Sequence, residues 1–164
     1  MREIKFRGKR KDNGEWVYGY YVFSENYQKL LKNGAHLIFN LDDKTVYQVI
    51  PETVGQFTGL YDNTKWEDLL EQEQKEWLKN KKKKEDWKGK EIYEGDVVER
   101  YGVLYQVRFG QFVDVKGYCQ CGFYLYDLKG NVVLGNLGYS YLTDDIPLKV
   151  IGNIYENPNL LKGV

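Results

Sequence analysis

Lys88-Gly89-Lys90-Glu91-Ile92-Tyr93-Glu94-Gly95-Asp96-Val97-Val98 is the stretch whose reading decides the fold. Gly95 can take the positive φ of a tight turn, and the Asp96 carboxylate can accept hydrogen bonds from the turn's free N–H groups. Val97 and Val98 then open a β-branched strand. The stretch reads as a turn that begins a small β-barrel, and it specifies no chemistry.

The β pattern extends to both sides. Downstream, Val103, Tyr105, Val107 and Phe109 share one face while Leu104, Gln106 and Arg108 share the other, with a turn at Tyr101-Gly102 before them. Gly122 to Asp127 alternates Phe123 and Leu125 against Tyr124 and Tyr126, and Leu128 to Asn131 turns the chain. Val132 to Leu134, a glycine-rich loop and Leu148 to Tyr155 complete a set of short strands at barrel-like spacing. Upstream, Ile4 and Phe6 alternate with Lys5 and Arg7, and Asp12-Asn13-Gly14 supplies a hairpin turn. The return strand, Glu15 to Phe23, carries Trp16, Tyr18 and Tyr20 on one face. A short helical turn is expected in Ser24 to Gly34. A second hairpin, Ala35 to Asn40 and Thr45 to Ile50, ends at Pro51, which has no N–H for the ladder.

Between these β regions the pattern predicts one α-helix over residues 63–86. Thr64-Lys65-Trp66-Glu67 fits a capping box. Trp66, Leu69, Leu70, Trp77 and Leu78 recur at helical spacing, as core packing or as a docking face for a partner. Acids early and lysines late oppose the helix dipole, which accounts for the lysine run without a ligand. The expected organisation is an N-terminal β subdomain at 1–62, a helical insertion at 63–88 and a C-terminal barrel at 89–164, packed as one compact unit.

Composition agrees with this mainly β class. The chain has 164 residues, enough for one compact domain or two very small ones. Aromatic residues make up 16%, with 15 Tyr, and 17 Gly accompany them, a bias toward strands and tight turns. The first residues alternate charged and apolar side chains, so no secretory signal is read, and no apolar run suits a membrane span. Cys119 and Cys121 stand at i and i+2 of a strand, too far apart for easy bridging, and read as reduced thiols of a cytosolic protein. With only His36 beside them in the whole chain, a four-ligand zinc site is not expected, and no cofactor is either. Net charge is zero, yet residues 1–11 hold six basic groups against Glu3. Nucleic-acid binders usually show a net basic domain, so this balance disfavours that role.

Three segments together resemble the YopX family of phage and prophage proteins: Gln56-Phe57-Thr58-Gly59-Leu60-Tyr61-Asp62, Gly89 to Val98, and Val150-Ile151-Gly152-Asn153-Ile154-Tyr155-Glu156-Asn157-Pro158. The opening Arg2 to Lys9, with Trp16-Val17-Tyr18-Gly19, is similar to that family's N-terminus. The resemblance implies β-rich subdomains related to SH3-like barrels, encoded by phages and prophages of low-GC Gram-positive bacteria, so the cytosol read from the two thiols is that of the bacterial host. It implies no established activity and supplies no catalytic residues. The helix at 63–86 departs from the family pattern and looks like an insertion in a loop.

No nucleotide-binding, nucleophile-elbow or zinc-protease spacing occurs. The carboxylate pairs Asp42-Asp43 and Asp144-Asp145 sit in turn-like contexts, and His36 has no assignable partner, so catalysis is not expected. The favoured function is a non-catalytic phage accessory protein acting by protein–protein binding or self-association. Exposed tyrosines, barrel edges or the helix face Trp66, Leu69, Leu70, Trp77 and Leu78 would make the contact. The alternative is nucleic-acid binding, with Arg2, Lys5, Arg7, Lys9 and Arg10 on phosphates and Trp16 and Tyr18 stacking on bases.

Overall fold

The computed structural model describes residues 3–25, 34–79, 82–114, 116–129, 133–136 and 148–161. The chain is mainly β, built from antiparallel sheets with a single α-helix among the described residues. It divides into two compact units, Met1–Gly59 and Leu60–Val164. The division falls just before the boundary expected at residue 62, and the helix belongs to the second unit.

In the first unit, β1 (Phe6–Lys9), β2 (Trp16–Ser24), β3 (Ala35–Asn40), β4 (Val46–Gln48) and the start of β5 (Gly55–Tyr61) pair in the order β4-β3-β2-β1-β5. Both predicted hairpins are present. The first pairs Arg7 with Tyr18 and Lys9 with Trp16, the second pairs Leu37 with Gln48 and Phe39 with Val46, and β2 and β3 pair from Gly19↔Asn40 to Ser24↔Ala35. Pro51 opens a 3-10 turn over Pro51–Thr53, a position where its missing N–H forfeits no hydrogen bond. The inner face buries Val17, Ile38 and Val49, with Phe6, Tyr21, Tyr47 and Val54 packed around them. Period-2 alternation puts Lys5, Arg7 and Lys9 with Trp16, Tyr18 and Tyr20 on the opposite, outer face. The helical turn expected in Ser24 to Gly34 falls mostly outside the described residues.

The second unit holds β6 (Glu91–Tyr93), β7 (Asp96–Arg100), β8 (Val103–Val113), β9 (Cys119–Asp127), β10 (Val133–Asn136) and β11 (Lys149–Asn153). Its five-stranded sheet runs β10-β9-β8-β7-β11, and the longest ladder joins β8 to β9 from Tyr105↔Asp127 to Val113↔Cys119. Ile92, Val98, Tyr105, Val107, Phe123, Leu125 and Leu148 form the core, with Leu60, Val103 and Val150 at its margin. Each fully buried aliphatic side chain there contributes about 1.5–3 kcal/mol. The opening stretch does what its residues dictate. Gly95 adopts φ +85°, and the buried Asp96 carboxylate accepts the Tyr93 N–H at 2.7 Å.

The helix is shorter than its pattern. Among the described residues of this stretch only Glu71–Lys79 is α-helical (α1), with 3-10 turns at Trp66–Asp68 and Lys84–Asp86. Thr64 does not cap it, because its hydroxyl donates to Asp62 Oδ2 at 2.7 Å. Leu69 is buried with extended backbone (ψ 143°), which separates the Trp66–Asp68 turn from the helix. The capping carboxylate is Glu73, which accepts the Leu70 N–H at 2.9 Å.

Candidate functional site

The predicted basic cluster is divided by strand alternation. Lys5, Arg7 and Lys9 share the outer face of the first unit with Trp16 and Tyr18, while Arg10 lies on the other face over the Tyr47 ring at 4.2 Å. Arg2 lies outside the described residues. Arg7 is only 7% exposed, with its guanidinium 4.8 Å from the Trp16 ring centre, and Lys9 Nζ is 5.4 Å from the same centre. Lys5 Nζ stands 5.3 Å from the Phe57 ring. Arg10 makes a two-point contact with Asp12, at 3.0 and 2.6 Å, and lies 3.6 Å from Glu15. That contact holds the Asp12 carboxyl below its ordinary range and raises Arg10 further. Trp16, a base-stacking residue in the nucleic-acid reading, stands under two cations of its own sheet.

What the outer face exposes is apolar. Tyr18, Tyr20 and Val22 follow one another on the same side of β2 and are 41%, 52% and 51% exposed. The register sets Tyr20 beside Phe39 and Phe39 beside Val46, which is also exposed. The row therefore continues across β3 to β4.

The expected helix face is also divided. Trp66 and Trp77 pack edge-on against Trp87, at 6.0 and 4.9 Å between ring centres, and Trp87 Nε1 donates to the Thr64 carbonyl at 2.8 Å. Lys82 Nζ stands 4.3 Å from the Trp77 ring, and Leu69 is buried. Leu70 and Leu78 alone of the five remain exposed. Trp87, a ring that the helical spacing did not include, organises this cluster.

The candidate catalytic groups carry structural bonds. The Tyr21 hydroxyl and His36 Nδ1 lie 2.7 Å apart, and the imidazole packs between Tyr21 and Phe23. Asp43 accepts the Tyr47 hydroxyl at 2.6 Å and the Thr45 N–H, and the hydroxyl, then the amide, hold its carboxyl below the ordinary range. Asp144-Asp145 lies outside the described residues. Cys119 and Cys121 are both exposed on β9, as free thiols. Among the described residues no group of three or more His, Cys, Asp or Glu could hold a metal ion.

Sequence reasoning missed Asp62. This carboxylate is 4% exposed and accepts four hydrogen bonds: the Thr64 N–H and Lys90 N–H on Oδ1 at 2.9 and 2.7 Å, the Thr64 hydroxyl and Val150 N–H on Oδ2 at 2.7 and 2.9 Å. An Asp two residues before a Thr suggests the local turn. Nothing in the spacing points to Lys90 or Val150. The motif at 150–158 is likewise structural: Asn153 Oδ1 accepts the N–H groups of Tyr155 and Glu156, each at 3.0 Å, and Asn157 Oδ1 accepts that of Asn153.

These features define a mainly antiparallel β protein whose recurrent Gly, Asp and Asn residues hold turns and strands together. A family model described as YopX protein matches residues 70–162, more than half of the chain, and the chain belongs to the YopX family. The matched range takes in α1, the 89–98 stretch and the 150–158 motif, whereas 56–62 and the N-terminal hairpin lie before it. No curated protein and no solved structure matches the chain. Among the described residues no helix is long and apolar enough to cross a membrane.

Proposed function

We propose that this chain is a non-catalytic accessory protein that works by protein–protein contact, with the outer face of β2 as its contact surface. The observation that carries the reading is the unbroken row Tyr18, Tyr20 and Val22, with Val46 two strands away. Single exposed apolar residues are ordinary, but a contiguous row marks an interaction site. A second copy of the chain is the partner to test first. With a net charge of zero, no overall repulsion keeps two copies apart.

The nucleic-acid alternative needs cations that reach phosphates. Arg7 is nearly buried and Arg10 is engaged by two carboxylates, which weighs for protein contact. A phage or prophage origin and an SH3-like character for the second unit's sheet rest on the family resemblance, and action in the cytoplasm of the bacterial host rests on reading Cys119 and Cys121 as reduced thiols. Light scattering over a concentration series tests the reading, run with and without single- and double-stranded oligonucleotides at low salt. Growth of a dimer with protein concentration supports it. A monomer at all concentrations, or a shift that only oligonucleotides produce, overturns it.

A further inference from the structure

Cys119 and Cys121 both point to one face of β9, and both are exposed. Across the ladder they face Val113 and Gln111, and all four residues line an open depression of about 400 Å³. We propose that Cys119 and Cys121 form a two-coordinate clamp for one soft monovalent cation, with Cu(I) as the fitting ion.

The span decides between the things two thiols can do. Side chains at i and i+2 of a strand start about 6.8 Å apart. A disulfide needs Cβ atoms within about 3.5–4.5 Å of each other, so this pair does not close on itself without breaking the strand. A metal–thiolate bond is about 2.3 Å, so two sulfurs on opposite sides of one ion stand about 4.6 Å apart. Each sulfur has only to lean inward by about 1 Å to reach that separation, which rotation about χ1 supplies.

The donor set decides the ion. Zinc in a closed site takes four ligands, and among the described residues no third His, Cys, Asp or Glu stands by the two thiols. Two soft thiolates without further donors select Cu(I) over harder divalent ions. Binding releases one proton from each thiol and forms two Cu–S bonds, with no electron transferred. The open depression leaves the ion accessible from solvent, as loading and release require.

The test is anaerobic titration of the full-length, reduced protein with Cu(I) in competition with a chromophoric chelator, followed by copper X-ray absorption. The expected result is one Cu(I) per chain with two sulfur neighbours, lost to the chelator in both Cys119→Ser and Cys121→Ser. Zn(II) offered alone is not retained. Far-UV circular dichroism unchanged in both variants ties the loss to the sulfur. No copper retained by the wild type would overturn the proposal. So would retention in either variant, or one copper per two chains with three or more sulfur neighbours.

Discussion

The Asp62 carboxylate accepts the backbone N–H of Val150 at 2.9 Å across 88 residues of chain. The other oxygen accepts the Lys90 N–H, so one buried side chain ties together the end of β5, the entry to β6 and the last strand of the second unit. Removing it leaves buried donors unsatisfied, each costing about 1–3 kcal/mol. Asp62→Ala is expected to destabilise the second unit by about 3–5 kcal/mol, after local relaxation. Asp62→Asn keeps one oxygen and is expected to cost about 2 kcal/mol. Urea unfolding followed by tyrosine and tryptophan fluorescence measures both, and equal losses in the two variants would contradict this role.

Gly89 and Gly95 separate two kinds of glycine requirement. A Cβ on Gly89, at φ +110°, would lie 2.0 Å from the Asp62 carbonyl oxygen, which is backbone and cannot move away alone. A Cβ on Gly95, at φ +85°, would meet the edge of the Tyr155 ring at 2.9 Å. Both substitutions strain the backbone by about 1–3 kcal/mol, and only the first also forces two segments apart. Gly89→Ala is therefore expected to unfold the second unit, while Gly95→Ala folds with a lowered Tm. The reverse order in a thermal melt would count against the argument.

Tyr20→Ser and Val22→Ser remove apolar surface from the exposed row without touching the buried cluster of Val17, Ile38 and Val49. Stability is expected to stay within about 0.5 kcal/mol of the parent. Concentration-dependent association in light scattering is expected to fall together in the two variants. Undiminished association would place the contact elsewhere.

Trp87 holds Trp66 and Trp77 edge-on and donates to Thr64. Each such ring pair is worth about 0.5–1.5 kcal/mol beyond its buried area. Trp87→Ala is expected to cost about 2–3 kcal/mol and to melt α1 first. Early loss of amide protection at residues 71–79 in hydrogen exchange is the readout, and unchanged protection there would refute it.

Asp114 turns the chain between β8 and β9. The Tyr118 N–H, then the Lys116 N–H and the Gln120 side chain, donate to its carboxylate and outweigh burial, holding the carboxyl below its ordinary range. A depressed folded value means the turn gains stability above the ordinary carboxylate range. It loses that gain as pH falls through the folded value. The Tyr118 amide resonance is expected to titrate at that lower pH, and Asp114→Asn is expected to abolish the titration.

Local chemistry was legible in the sequence because local rules produce it. Gly95 with Asp96, the two N-terminal hairpins and the facing of β8 all follow from φ preference, turn chemistry and period-2 alternation. The helix was only partly legible. Its apolar spacing is real, but Thr64 is drawn to Asp62 and Leu69 into an extended, buried position, so the α-helix begins only at Glu71. The basic cluster was legible as composition and not as a surface, since a one-residue step puts Arg10 on the face opposite Lys9 and two carboxylates then engage it. By itself, then, the sequence determined a mainly β chain and its family. Alternation placed Tyr18 and Tyr20 on one face, and only the tertiary structure decided that Asp62 joins three segments, that Trp87 gathers two more indoles, and which face of β2 packs on the core. Those outcomes depend on contacts between residues tens of positions apart, and no local periodicity records them.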